Sequence, residues 1–158
     1  MQDLSGLTYR PCVGLMIVNG RKQIFTGQRL GYSSKAWQMP QGGIEKDEES
    51  LTAAYRELEE ETSIVKDKVE LLAVSKNWFQ YDLPSELVPK LWNGAYRGQT
   101  QKWFLMRFLG DDTNINLLTK VPEFSSWRWS SKTQLTRYIV PFKKELYQKV
   151  IKEFELFL

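Results

Sequence analysis

The hydrophobic positions change period several times along the chain, and each change marks an element. Val13, Leu15 and Ile17 alternate as one side of a β-strand does, Asn19-Gly20 is a strong hairpin signal, and residues 23–30 read as the returning strand. The first third is therefore expected to be a β-hairpin. At Leu51, Ala54, Tyr55 and Leu58 the period becomes helical, with Asp47 as the expected N-cap and Glu48 and Glu49 suited to the positive end of the helix dipole. Residues 69–78 and 101–109 are β-rich and predict two inner strands, and Trp127-Arg128-Trp129 predicts a short one. Pro141 can open a last helix whose Leu146, Tyr147, Val150, Ile151, Phe154 and Leu158 recur at helical spacing as core. Between the long strands, residues 81–98 contain Pro84, Pro89 and Gly94 and show no period, which fits a functional loop or a disordered tip. Strands around two helices predict an α/β sandwich, and 158 residues with 42% hydrophobic content predict one domain over 1–158.

The polar side of the first predicted helix changes the picture. Glu57, Glu60 and Glu61 fall at i, i+3 and i+4, so about 100° per residue crowds them on one face, away from the apolar stripe. Like charges so placed repel, and a fold tolerates them in open solvent or around a divalent cation. There is no histidine and Cys12 is the only cysteine, which excludes an intrachain disulfide and a His/Cys zinc site. A metal must then sit on oxygen, which favours Mg²⁺, Mn²⁺ or Ca²⁺. Net charge is +3 although this segment is acidic, so cations must concentrate elsewhere. That division suits a polyanionic substrate, and is equally compatible with an ordinary solvated surface. The first residues lack a basic, apolar leader, and the apolar stretch near Val13 to Val18 is too short to span a bilayer. A cytoplasmic protein without a membrane partner is the expectation.

The segment from Gly42 to Ile64 resembles the Nudix box, G-x5-E-x7-R-E-U-x-E-E-x-G-U with U apolar. Gly42, Glu48, Arg56, Glu57, Leu58, Glu60, Glu61 and Ile64 match in order, and Ser63 stands where the pattern has glycine. A residue after such a helix often needs φ > 0, which serine adopts at a cost, so strain or a shifted helix end is expected there. The resemblance implies the Nudix α/β/α sandwich with a central mixed sheet, and Mg²⁺ (or Mn²⁺) held by Glu57, Glu60 and Glu61. One of these carboxylates or a metal-activated water would serve as base, and the sequence does not choose between them. Arg56 is placed to reach Glu60, Glu48 or Thr52 and to orient the carboxylates, or to form a plain surface ion pair. Gly42 and Gly43 allow close backbone approach, and the Gly42 carbonyl is a further candidate ligand.

Further blocks extend the similarity over nearly the whole chain: Tyr9-Arg10-Pro11, residues 37–43, residues 101–104, Pro122-Glu123-Phe124, residues 127–129 and Pro141-Phe142-Lys143. They look like the bacterial RNA pyrophosphohydrolase and dinucleoside polyphosphate hydrolase branch of the family. By that similarity Glu123 is a fourth acidic ligand, Arg10, Arg29, Lys102 and Lys143 contact phosphate, and Tyr81 and Phe142 stack on a base. The plainer alternatives are core packing for the two rings, solvation for the lysines and a loop anion for Glu123. The implied activity is metal-dependent removal of pyrophosphate from RNA 5′-triphosphate ends. Hydrolysis of diadenosine polyphosphates, cleavage of oxidised deoxynucleotides and a non-catalytic nucleotide-binding or protein-binding module are the alternatives. No obligate protein partner is evident.

Overall fold

The structure, a computed structural model, describes residues 6–30 and 35–158. Its centre is the long strand β1 (Thr8–Val18), which runs parallel to β6 (Tyr96–Phe108), with a register shift after Thr8 opposite Tyr96 and then unbroken pairing from Tyr9 opposite Gly98 to Val18 opposite Arg107. On its other edge β1 carries β3 (Gln41–Gly43) along Cys12 to Gly14, and β2 (Ile24–Arg29) at Val18. The far edge of β6 is shared by β4 (Val69–Val74) and β5 (Phe79–Asp82), while β7 (Phe124–Ser130) closes the opposite side against β2. All pairings except β1–β6 are antiparallel, so the sheet is mixed, in the order β4-β6-β1-β2-β7.

Helix α1 (Ser50–Thr62) covers one face. Ala53, Ala54 and Leu58 pack there with Val13, Leu15, Ile17, Phe25, Phe104 and Met106. The opposite face carries α2 (Lys132–Arg137) and α3 (Lys144–Glu153), whose Leu135, Leu146, Tyr147 and Val150 meet Met16, Val18, Ile24, Trp103 and Leu105. This is the expected α/β/α sandwich with a mixed central sheet. The alternation at Val13, Leu15 and Ile17 captured half of β1. Every residue from Cys12 to Val18 is buried, because a strand with a parallel neighbour and helices on both faces has no wet side.

Several local expectations shift. The hairpin loop runs from Asn19 to Gln23, with the Asn19 side-chain oxygen accepting from the Arg21 and Gln23 amides at 2.9 Å each, and the left-handed position falls to Lys22 (φ 60°) instead of Gly20. Asp47 is not the N-cap. It lies in the preceding turn with φ 63°, and Glu49 holds the cap position without a side-chain hydrogen bond. The predicted strand over 69–78 breaks after Val74, where the Ser75 hydroxyl accepts from the Trp103 amide and turns the chain into β5. Tyr81 therefore sits in a strand. The aperiodic stretch is ordered around two 3₁₀ turns, Val88–Lys90 and Trp92–Gly94, and buries Leu83 and Val88 against the α3 side. Pro141 opens a 3₁₀ turn that leads into α3. No helix among the described residues is long and apolar enough to cross a membrane.

Candidate active site

The carboxylate helix and the glycine strand are positioned by one residue. Arg56 projects from α1 and donates from Nε and Nη2 to the two Glu48 oxygens, both at 2.8 Å, from Nη2 to the Gly43 carbonyl at 2.8 Å, and from Nη1 to Glu57 Oε1 at 2.9 Å and Glu60 Oε2 at 3.2 Å. A planar fork with five donors suits this task, which a lysine could not reproduce. Glu48, held by that fork and by the Glu45 amide, titrates near about 2, well below the usual carboxylate range. Arg56 is thus the clamp that fixes α1, the box turn and β3 relative to one another. Gly42 is required by close approach, since a Cβ there would overlap the Glu57 carboxylate, and a Cβ at Gly43 would overlap the Arg10 guanidinium.

The three helix carboxylates meet different surroundings. The Glu60 side chain is 57% exposed, that of Glu57 only 13%, and Glu61 is buried. Desolvation raises Glu57 to about 7 despite Arg56, and burial together with the Glu57 charge raises Glu61 well above its ordinary value. The Gln41 amide donates to Glu61, but Glu61 Oε2 is buried without a hydrogen-bond partner among the described residues. Glu123 stands opposite, 2.6 Å from Arg29 Nη2. Glu57, Glu61 and Glu123 line both the main cleft and a second, acidic hollow on the outer side of α1. Among the described residues no three acidic, cysteine or histidine side chains close into a finished metal cage, because Arg56 draws Glu57 and Glu60 toward itself. An oxygen-only set with an unpartnered buried carboxylate oxygen and two carboxyls that resist ionisation nevertheless fits a divalent cation, whose charge would offset what desolvation costs.

The main cleft encloses about 460 Å³. Of the residues singled out from sequence, Arg10, Arg29, Gly42, Glu57, Glu61, Tyr81, Glu123, Phe142 and Lys143 line it. Tyr81 and Phe142 face each other with centroids 5.8 Å apart. Lys143 is buried beneath them, 5.5 Å from the Tyr81 ring, and burial with the Arg29 charge lowers its pKa to about 8. Lys102 is not brought to the cleft. Strand alternation places it opposite Gln99 and Gln101, and its ammonium donates to the Lys76 carbonyl at 3.3 Å and lies over Trp78. Glu48, Arg56 and Glu60 stand outside the cleft wall, on the clamp side.

Sequence reasoning missed two parts of the wall. Trp92, from the aperiodic segment, covers Arg10 at 5.1 Å, and Leu87 and Leu91 stand beside it. A buried glutamine row lies below: Gln101 Nε2 donates to Gln41 at 2.8 Å and Gln99 at 2.6 Å, while Trp103 Nε1 donates to Gln101 at 2.9 Å. Alternate polar residues in a strand otherwise buried were the available signal.

The mixed sandwich with a carboxylate helix beside a glycine strand defines a class. The NUDIX domain family matches residues 8–150, and the chain belongs to that family. Family membership implies use of a divalent cation. Among relatives, the RNA pyrophosphohydrolase of Roseobacter denitrificans is 52% identical over 157 residues, covering 99% of this chain and 98% of its own. That of Rickettsia conorii is 54% identical over 149 residues, covering 94% and 91%. The fold also matches solved structures of low identity: a dihydroneopterin triphosphate pyrophosphohydrolase from E. coli (TM-score 0.70, 16% identical, 92% of this chain and 98% of that one) and an Ap4A hydrolase binary complex from C. elegans (0.65, 18%, 93% and 99%).

Proposed function

We infer that the protein is a Mg²⁺-dependent Nudix pyrophosphohydrolase that removes pyrophosphate from the 5′-triphosphate ends of RNA and so initiates its decay. The observation that carries this reading is a cleft that brings together buried carboxylates on α1, the cations Arg10, Arg29 and Lys143, and the Tyr81–Phe142 ring pair. Carboxylates for a cation, basic side chains for phosphate and rings for a base in one cleft suit a nucleotide bearing a phosphate chain at its 5′ end. High identity to RNA pyrophosphohydrolases over nearly the full length supports the substrate class.

Glu57, Glu60, Glu61, Glu123 and the Gly42 carbonyl would hold the cation, which when bound supplies charge neutralisation on the phosphate chain and activation of the attacking water. Arg56 and Glu48 hold the helix face in place. Arg10, Arg29 and Lys143 contact phosphate oxygens, with Trp92 restricting Arg10 to one orientation. Without the cation, desolvation raises the Glu57 carboxyl to about 7, and a bound cation would hold it ionised as a ligand. Lys102, held by the Lys76 carbonyl away from the cleft, takes no part in this proposal.

Diadenosine polyphosphate hydrolysis is the second reading, favoured by the Trp92 ring near Arg10, which offers a second aromatic surface along the same cleft. The test is to incubate the protein with Mg²⁺ and either 5′-triphosphorylated RNA or diadenosine tetraphosphate and compare kcat/KM. RNA should be the better substrate and release pyrophosphate. Glu57→Gln should lower turnover by at least about 10²-fold with the fold intact by circular dichroism. A faster tetraphosphate reaction would hand the function to the second reading.

A further inference from the structure

A cluster that the proposed chemistry does not use lies at the β2–β7 end of the sheet, on the rim of the cleft. The Arg128 guanidinium is sandwiched between the Trp37 ring at 4.1 Å and the Tyr138 ring at 4.9 Å, and Arg137 covers Tyr138 at 5.7 Å. Ring and cation therefore alternate through four residues. The stack is built in: Arg128 Nε donates to the Ser130 hydroxyl at 3.2 Å, and the Trp37 amide donates to the Tyr138 carbonyl at 2.8 Å. Its outer end is open, with Tyr138 39% exposed and Arg137 exposed. Among the described residues neither arginine forms an ion pair.

The segments that carry the stack are basic. Residues 4–44 and 124–144 contain no Asp or Glu and carry five Lys or Arg each, and together they form β1, β2, β3, β7 and α2. The acidic residues that line the adjoining cleft are Glu57, Glu61 and Glu123, the last paired with Arg29. Position completes the case. Ala36 and Gln38 on either side of Trp37 line the cleft, as does Val140 two residues beyond Tyr138. A polyanionic chain leaving the cleft over this rim meets the stack next.

We propose that Trp37, Arg128, Tyr138 and Arg137 form a binding surface for single-stranded RNA, engaging a nucleotide downstream of those held in the cleft. The proposal rests on the RNA substrate class argued above. A base stacks on the exposed Tyr138 ring or the Arg137 plane, and backbone phosphates meet Arg137. Stacking on such platforms is sequence-tolerant, because every base has a π-face.

The test uses the full chain, the double variant Arg137→Ala/Tyr138→Ala, and the conservative Tyr138→Phe. Binding of a 5′-hydroxyl octauridine is followed by fluorescence anisotropy at several salt concentrations, and hydrolysis is measured on 5′-triphosphorylated RNAs of two and of eight nucleotides. The double variant should bind the octamer about tenfold more weakly with a shallower salt dependence, and lose kcat/KM on the octanucleotide but not on the dinucleotide, while Tyr138→Phe stays close to the unmodified protein. Unchanged octamer binding, equal losses at both lengths, or an unmodified protein that ignores the octamer would each overturn the proposal, the last pointing to an acidic protein partner instead. The octamer carries no triphosphate. A protein that binds it through the stack but leaves triphosphorylated RNA intact would refute the activity and retain the surface.

Discussion

Ser63 adopts φ 67° and ψ 5°, a left-handed conformation that glycine takes freely and serine takes at a cost of up to about 1 kcal/mol. Its hydroxyl offsets that cost by donating to the Asn116 carbonyl at 2.7 Å, and the Asn116 amide returns to the Thr62 carbonyl at 2.9 Å. The two effects are of similar size, since a hydrogen bond of this kind contributes about 1 kcal/mol. Ser63→Gly should therefore be close to neutral in urea unfolding, whereas Ser63→Ala, which keeps the strain and loses the bond, should be less stable by about 1 kcal/mol. A glycine variant clearly more stable than the original would show that the hydroxyl contributes nothing. The positive φ was legible because the box pattern has glycine at this position. The compensating partner was not, because it lies 53 residues away and nothing in the local pattern announces it.

Among elements, α1 was the most legible, since a helix periodicity and the i, i+3, i+4 carboxylates are local properties. Its start was misplaced because the turn at Asp47 directs the Glu48 carboxylate to Arg56, and the helix begins only at Ser50. The split between β4 and β5, and the side on which Lys102 emerges, depend on pairing with β6, so strand propensity alone could not supply them. The buried end of α1 has a measurable consequence. Glu57 is raised from 4.5 to about 7, so between those values the folded state keeps a proton that the unfolded chain has released. The folded state then binds more protons, and without metal this group makes stability fall as pH rises through that window. Glu61, raised by burial, acts in the same direction. A divalent cation binds the ionised carboxylates, so the Tm gained on adding Mg²⁺ over a chelated sample should grow from pH 5.5 to pH 8. Glu61→Gln should raise Tm in chelator and shrink that gain. A Mg²⁺ effect independent of pH and of Glu61 would remove these carboxylates from the metal site.

At the scale of the molecule, the two hydrophobic clusters divide the labour. The cluster on the α1 face supports the carboxylates, while the one on the α3 face supports the ring pair Tyr81 and Phe142. The cleft opens where these two halves meet, and the parallel β1–β6 pair between them keeps each at a fixed distance from the other. Substitutions on the α3 side should then alter substrate choice without disturbing the chemistry. Phe142 is the informative position, because it packs against the core cluster only in part and pairs with Tyr81 at 5.8 Å. If its ring stacks on a nucleobase, Phe142→Ala should cost about 1–3 kcal/mol of transition-state binding on triphosphorylated RNA, a stacking-sized loss, with an unchanged Mg²⁺ requirement. If the triphosphate is held by the cleft cations and not by the ring, inorganic tripolyphosphate, which has no base, should be hydrolysed or inhibit as before. The comparison of RNA kcat/KM with the tripolyphosphate inhibition constant in the same variant decides the matter. Parallel losses on both would mean that the ring supports the cleft by packing, and a loss confined to RNA would place base recognition on the α3 side.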